Sequence, residues 1–184
     1  MKKLMISSLF FLSLFFIQTV DAQSWWGKGI KGEGPIVTKT LDLSNFSSVG
    51  LSISAKVYLT QGSKQSVKVE AQENIIENLK TKVSKGSWNI GFRENVGNHK
   101  AIKIYITLPS LEKVAVGGSG TIEGTNHFPN LDKLAVAVSG SGKVKLDVAT
   151  TEITSAVSGS GNIHLEGSTE KHRIAVSGSG NIQA

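Results

Sequence analysis

Four near-copies of one nine-residue motif dominate the second half of the chain: VGGSGTIEG at 116–124, VSGSGKVKL at 138–146, VSGSGNIHL at 157–165 and VSGSGNIQA at 176–184. Their starting valines are 22, 19 and 19 residues apart. A period near 20 fits one coil of β-structure, whereas helical repeats need about 33 residues or more. The linking segments, such as Leu134-Ala135-Val136-Ala137, Ile153–Ala156 and Ile174-Ala175, are apolar and strand-like. A leucine-rich repeat is excluded because its leucine/asparagine framework is missing, and nothing like Asn-Gly marks the turns of a β-hairpin array. The chain is therefore expected to be all-β, with one coil per repeat stacked as a parallel β-helix. One coil alone exposes a row of Val, Ile and Leu and two unpaired edges. Only neighbouring coils cover them, at about 1.5–3 kcal/mol per buried aliphatic side chain before chain entropy is counted.

Strand periodicity assigns the faces. Leu134, Val136, Val138, Gly140, Gly142, Val144 and Leu146 share one parity, and Ala135, Ala137, Ser139, Ser141, Lys143 and Lys145 the other. The next copy agrees, with Val157, Gly159, Gly161, Ile163 and Leu165 opposite Ser158, Ser160, Asn162 and His164. Apolar residues mark the inside, so Val138, Val144, Val157, Ile163, Val176 and Ile182 are expected to stack as inward columns. Both glycines of each Gly-Ser-Gly also fall on the inner side. There the missing Cβ permits a tight corner close to the core.

Residues 36–108 read as further strands. Leu51, Ile53, Ala55, Val57 and Leu59 alternate with polar residues over nine positions, which predicts one half-buried strand. Val67, Val69 and Ala71 predict a second, and Ile102–Leu108 another, ended by Pro109. Lys85-Gly86 is expected to turn a hairpin between Lys80–Ser84 and Trp88–Phe92. One short helix is expected near 74–82, with Ile75, Ile76 and Leu79 on one face and Asn74 as its cap.

The N-terminus has the three parts of an export signal: Lys2-Lys3, the apolar run Leu4–Val20, and small residues before an expected cleavage ahead of Gln23. Gln23–Pro35, rich in Gly, Lys and Trp, is expected to be a flexible leader, leaving 36–184 as one domain. The formal charge of +6 falls to +5 without residues 1–22. The basic residues are scattered, which argues against nucleic acid and for weak attraction to anionic surfaces or polysaccharides. There is no cysteine, so disulfides, thiolate metal sites, a thiol nucleophile and a lipidated N-terminal Cys are excluded.

The repeated V-S-G-S-G-[NK]-[IV], the leader SWWGKGIKGEGPI and the alternating LSISAKVYLTQG together resemble the head GIN domain family of auto-transporter adhesins. The resemblance spans nearly all of the chain after residue 22. It implies a right-handed parallel β-helix shaped like a pectin lyase but lacking the lyase catalytic residues, and a role in adhesion at the surface of Gram-negative bacteria. The expected locations are the periplasm, the outer-membrane surface or the medium. Members usually carry further GSG copies, whereas this chain stops at Ala184 inside one. Its last coil is therefore expected to be an adhesive edge for self-association.

No catalytic, metal or cofactor site is expected. The four histidines have no HExxH pairing, no G-x-S-x-G elbow is present, and the acids Asp132, Asp147, Glu152, Glu166 and Glu170 are dispersed. Gly27, Gly29 and Gly32 match a dinucleotide fingerprint by letter only, with no strand before and no helix after them. Ile122 stands where a calcium-binding nonapeptide needs Asp. The candidate ligand-facing residues are the serine ladders Ser139, Ser158, Ser177 and Ser119, Ser141, Ser160, Ser179, with Lys143, Asn162 and Asn181 as a third row. A carbohydrate or another repeating surface component is the expected partner. A polysaccharide-active β-helix enzyme and a ligand-free envelope protein are the alternatives.

Overall fold

The repeats meet one another residue for residue. In the computed structural model, which describes residues 29–184, the strands are β1 (Ile36–Thr40), β2 (Ser48–Leu51), β3 (Lys56–Gln61), β4 (Ser66–Gln72), β5 (Val83–Ser84), β6 (Ser87–Ile90), β7 (Lys103–Leu108), β8 (Lys113–Val116), β9 (Thr121–Gly124), β10 (Phe128–Gly140), β11 (Lys143–Gly159), β12 (Asn162–Gly178) and β13 (Asn181–Gln183). One helix, α1 (Glu73–Glu77), interrupts them. The signal and the first part of the leader lie outside the described residues. All thirteen strands belong to one sheet, which curls into an open half-barrel. The chain is nearly all β.

From β8 onward the pairing is parallel. Val116 aligns with Val138, Val138 with Val157, and Val157 with Val176, while Ile122, Val144, Ile163 and Ile182 align in turn. β11 and β12 each bend midway, so that each serves both halves of the curled sheet. At that bend Thr150 Oγ1 donates to the carbonyls of Asp132 and Glu152, at 3.2 and 3.1 Å. Thr169 repeats the arrangement one coil later, to Thr151 and Lys171.

The Gly-Ser-Gly corners lie at the other bend, and their two glycines do different work. Gly140, Gly159 and Gly178 turn the chain with φ of +108, +109 and +111°. Gly140 is exposed and Gly159 half-buried, so the first glycine does not lie on the inner side as periodicity suggested. The second glycines, Gly142 and Gly161, are buried. A Cβ on Gly142 or Gly161 would collide with Val116 or Val138 of the preceding coil. Of the six expected inward residues, Val138, Val144 and Val157 are 2% exposed and Ile163 is 1% exposed, whereas Ile182 is half-buried and Val176, though in register with Val157, is 48% exposed.

The N-terminal half departs from a simple coil. The expected nine-residue strand is two strands, because Ser52–Ala55 form a corner between β2 and β3. This corner lies beside Gly117–Gly120, with Gly117 N donating to Leu51 O and Thr121 N to Ala55 O. Ser-Ile-Ser-Ala thus does the work of a Gly-Ser-Gly in an unrecognised earlier coil. The coil of β6 and β7 packs on one side of β2 and β3, and that of β8 and β9 on the other, so the winding is not monotonic. β1 and β4 are antiparallel, as are β4 and β7.

The helix is shorter than expected. Asn74 does not cap it. Its side chain accepts from Glu33 N (3.1 Å) and donates to Lys31 O (2.6 Å), tying down the leader. Ile30 also bridges to Val96, so the leader is held from Ile30 onward. The Lys85-Gly86 turn is present with positive φ at both residues, the geometry of a two-residue hairpin loop, although its arms are shorter than expected. Trp88 is fully buried and donates Nε1–H to Lys80 O at 2.8 Å.

Candidate binding surface

Pairing register builds the surface. On the outer side of β4, β7, β3, β9, β11, β12 and β13, one residue from each strand falls into a straight row: Lys68, Tyr105, Tyr58, Glu123, Lys145, His164 and Gln183. A second row beside it is Glu70, Lys103, Lys56, Thr121, Lys143, Asn162 and Asn181. Neighbours within a row stand about 4.8 Å apart, and the rows about 6–7 Å apart. The expected row Lys143, Asn162, Asn181 is therefore the C-terminal part of one that crosses the sheet.

Towards the β4 end of the first row Tyr58 and Tyr105 stack, with ring centroids 5.1 Å apart and planes 11° from parallel. Lys56 Nζ lies 4.9 Å from the Tyr58 ring centroid and 3.2 Å from Glu123. Hydrogen bonding to Tyr58, then to Glu123, raises the Lys56 ammonium above the usual lysine pKa. Tyr105 donates to Glu70 at 3.2 Å, and its phenol is raised by partial burial first and by Glu70 second. Further along, Glu166 accepts from His164 (2.7 Å) and lies 3.4 Å from Lys145 Nζ, contacts that lower its carboxyl pKa. His127 pairs with Asp147 at 2.8 Å.

The Gly-Ser-Gly corners form the border of this face. Ser119, Ser141, Ser160 and Ser179 are exposed along it. Ser139, Ser158 and Ser177 are exposed and in register beyond the corner, on the outer side of the other half-sheet. Each serine set is thus a ladder, but the two occupy different sides of a bend. The tyrosine pair was not anticipated. Tyr58 and Tyr105 are 47 residues apart in the sequence, and only the pairing of β3 with β7 brings them together. The shared alternation of Lys56-Val57-Tyr58 and Lys103-Ile104-Tyr105 was the available signal.

Chemically this is a surface of paired charges, amides, hydroxyls and phenols, with no convergent acid–base constellation. Among the described residues one serine–histidine contact exists, Ser155 Oγ to His172 Nε2 at 2.9 Å. Ser155 is fully buried in the column between Val136 and Ile174. Among the described residues, no group of three or more His, Asp or Glu is placed to hold a metal ion.

The family model described as "Putative auto-transporter adhesin, head GIN domain" matches residues 45–184. This chain belongs to that family. Its fold is similar to that of a crystal structure from Parabacteroides distasonis titled a putative lipid binding protein, at a TM-score of 0.68 and 20% identity, covering 85% of this chain and 76% of that one. It is also similar to putative adhesins from Bacteroides fragilis (TM-score 0.52, 20% identity, 84% and 99% covered) and Parabacteroides merdae (0.53, 12%, 86% and 100%). No curated protein matches the sequence. At these identities the structures speak for the fold of this head GIN domain alone.

Proposed function

We propose that this head GIN domain is an exported adhesion module without catalytic activity, which binds an extended carbohydrate of the cell surface or its surroundings across the tyrosine–lysine rows. One observation carries the reading: two in-register rows of hydrogen-bonding side chains cross seven strands, and one of them includes a stacked aromatic pair. A chain of sugars offers hydroxyls at regular intervals, and a row with a constant interval meets several of them without rearrangement. Tyrosine adds rigid contact area at low entropic cost. The serine ladder at the corner borders the same polar surface, and the second ladder lies around the bend from it. The constant offset of 19 residues from Leu131 onward between β10, β11 and β12 favours a β-helical stack for residues 131–184, with periplasm, outer-membrane surface or medium as its site of work.

A glycan array with the purified protein, joined to fractionation of the producing cells, tests this. Binding should weaken at least tenfold in Tyr58→Ala/Tyr105→Ala and change little in Ala115→Ser on the opposite half-sheet. An array with no bound glycan, binding indifferent to the tyrosines, or protein confined to the cytoplasm would each overturn the proposal.

A further inference from the structure

One hairpin gathers positive charge that is spread thinly elsewhere. Residues 78–93 hold four of the chain's 20 basic residues, Lys80, Lys82, Lys85 and Arg93, and none of its 14 acidic ones. The two arms meet through the Leu79–Phe92 bridge and again through the Val83–Trp88 pair, in the same register. Between these contacts residues 80–82 belong to no strand. Lys80 N donates to Gly91 O at 2.8 Å, but the return bond of an antiparallel pair is replaced, because Lys80 O accepts from Trp88 Nε1–H at 2.8 Å. The buried indole thus opens the ladder. A cleft of about 540 Å³ lies there, lined by Lys80, Thr81, Lys82, Ser84, Asn89 and Arg93.

The lining is held in place. Arg93 Nε–H donates to Leu79 O at 3.1 Å, which fixes the guanidinium and leaves its two terminal nitrogens outside that bond. The stem of Lys80 lies over Gly91, where a Cβ would sit 3.7 Å from its Cδ. Asn89 lies over Gly50 of β2, where a Cβ would collide with its amide oxygen. On the tyrosine–lysine rows Lys56, Lys103 and Lys145 are answered by carboxylates. Here no carboxylate lines the cleft, and among the described residues Lys80, Lys82 and Arg93 enter no ion pair. Glu77, the acid just before the hairpin, turns to Lys39 at 3.4 Å.

We propose that this cleft binds a tetrahedral oxyanion carried by a sugar, a phosphate or sulfate ester. Three cations exceed what one carboxylate balances and suit a group with several acceptor oxygens. The guanidinium offers two donors in a plane, and the lysines supply point charges. Thr81, Ser84 and Asn89 supply neutral partners for the ring hydroxyls. None of the exposed large apolar side chains Ile36, Ile174 and Val176 lines the cleft. A bilayer would find charge there without an apolar anchor. Trp88 is fully buried, so it gives nucleic-acid bases no stacking platform. The cleft shares no residue with the tyrosine–lysine rows, so either reading can fail alone.

The test uses the full chain with glucose 6-phosphate and glucose 6-sulfate as probes. The Trp88 indole N–H reports on the cleft through its bond to Lys80 O. Its NMR signal should shift and saturate with either ester, about tenfold more tightly than with glucuronate, and binding should weaken as salt is raised. Lys82→Gln/Arg93→Gln should weaken both esters about tenfold or more. The circular dichroism spectrum should be unchanged, since both side chains are exposed. Lys82→Gln alone, which leaves the Arg93 bond intact, should weaken them about threefold. Lys64→Gln/Lys133→Gln, which removes the same charge from exposed positions elsewhere, should not. No shift with either ester, glucuronate bound as tightly, equal losses in the two double variants, or adsorption to phosphatidylglycerol vesicles without affinity for either ester would each overturn the proposal.

Discussion

Replacing Gly159 by alanine tests the stacked corner most directly. Gly159 has a φ of +109°, where an L side chain is strained at about 1–3 kcal/mol. The new Cβ would also lie 2.9 Å from the carbonyl oxygen of Gly140 in the coil beneath. That neighbour is backbone held in the stack, so overpacking adds about 1–3 kcal/mol. The sum, roughly 2–6 kcal/mol, is a large part of the 5–15 kcal/mol typical of a domain. For a chain this size it lowers Tm by on the order of 10 °C. Gly161→Ala separates the two causes. Its φ is ordinary, but its Cβ meets Val138 and comes 2.9 Å from Gly142 O, so it should lose the packing part alone. Gly34→Ala is the converse, with φ of +76° and nothing within 4 Å of the new Cβ. It should lose only the conformational part. Urea unfolding followed by circular dichroism orders the three. If Gly159→Ala and Gly161→Ala are both no less stable than Gly34→Ala, the corners do not stack as described.

Three further outcomes are expected. Val157→Asp places a carboxylate where the side chain is 2% exposed and has only Val138 and Val176 as column neighbours. It should cost more than about 4 kcal/mol, while the exposed Ser158→Ala stays within about 0.5 kcal/mol, and equal midpoints in urea would reverse the face assignment. Glu166 should titrate below its ordinary 4.5 because His164 and then Lys145 favour its charged form. Its small stabilising contribution is therefore present above that value and lost as pH falls through the lowered one. Carbon-detected NMR should show the midpoint rising in His164→Gln, and an unmoved midpoint would remove the cause assigned. Purified protein should leave pectin-like and host polysaccharides uncut with or without divalent metal, and cleavage abolished by one point substitution would contradict the non-enzymatic reading.

The repeat region was legible because its signal is redundant. Val138, Val157 and Val176 announce the column three times, and alternation assigns the face independently. The N-terminal half was legible only as strands. Ser52–Ala55 continues the same alternation straight through a corner, since Ile53 and Ala55 are apolar at positions where later coils carry glycine. Periodicity has no means of seeing a bend that keeps parity. The helix failed for a related reason. Asn74 is a good cap by type, but its amide was taken by the leader, and that tertiary competition is invisible in a window. The polar rows were half visible. Lys143, Asn162 and Asn181 could be aligned by their repeats, whereas joining them to Lys56, Tyr58, Lys103 and Tyr105 required the pairing of β3 with β7 and β9, which no local pattern encodes.

The uneven spacing of the first two copies explains how the two halves are joined. The offset between aligned residues is 22 at Glu123 and Lys145, 20 at Phe128 and Val148, and 19 from Leu131 and Thr150 onward. The three extra residues of the first unit are thus absorbed between Glu123 and Leu131. That segment carries Asn126, whose side chain accepts from Gln61 N at 2.7 Å and donates to Gln61 O at 3.0 Å. Thr125 Oγ1 lies 2.7 Å from Thr60 Oγ1 and also donates to Leu59 O. The insertion therefore reaches back to the end of β3 and closes its backbone as another strand would. It also carries Phe128, which is fully buried. A strict 19-residue repeat would have neither reach nor anchor at this point. The irregular unit is what lets a regular stack begin on a non-repetitive base, and the later copies, resting on one another, need no such device.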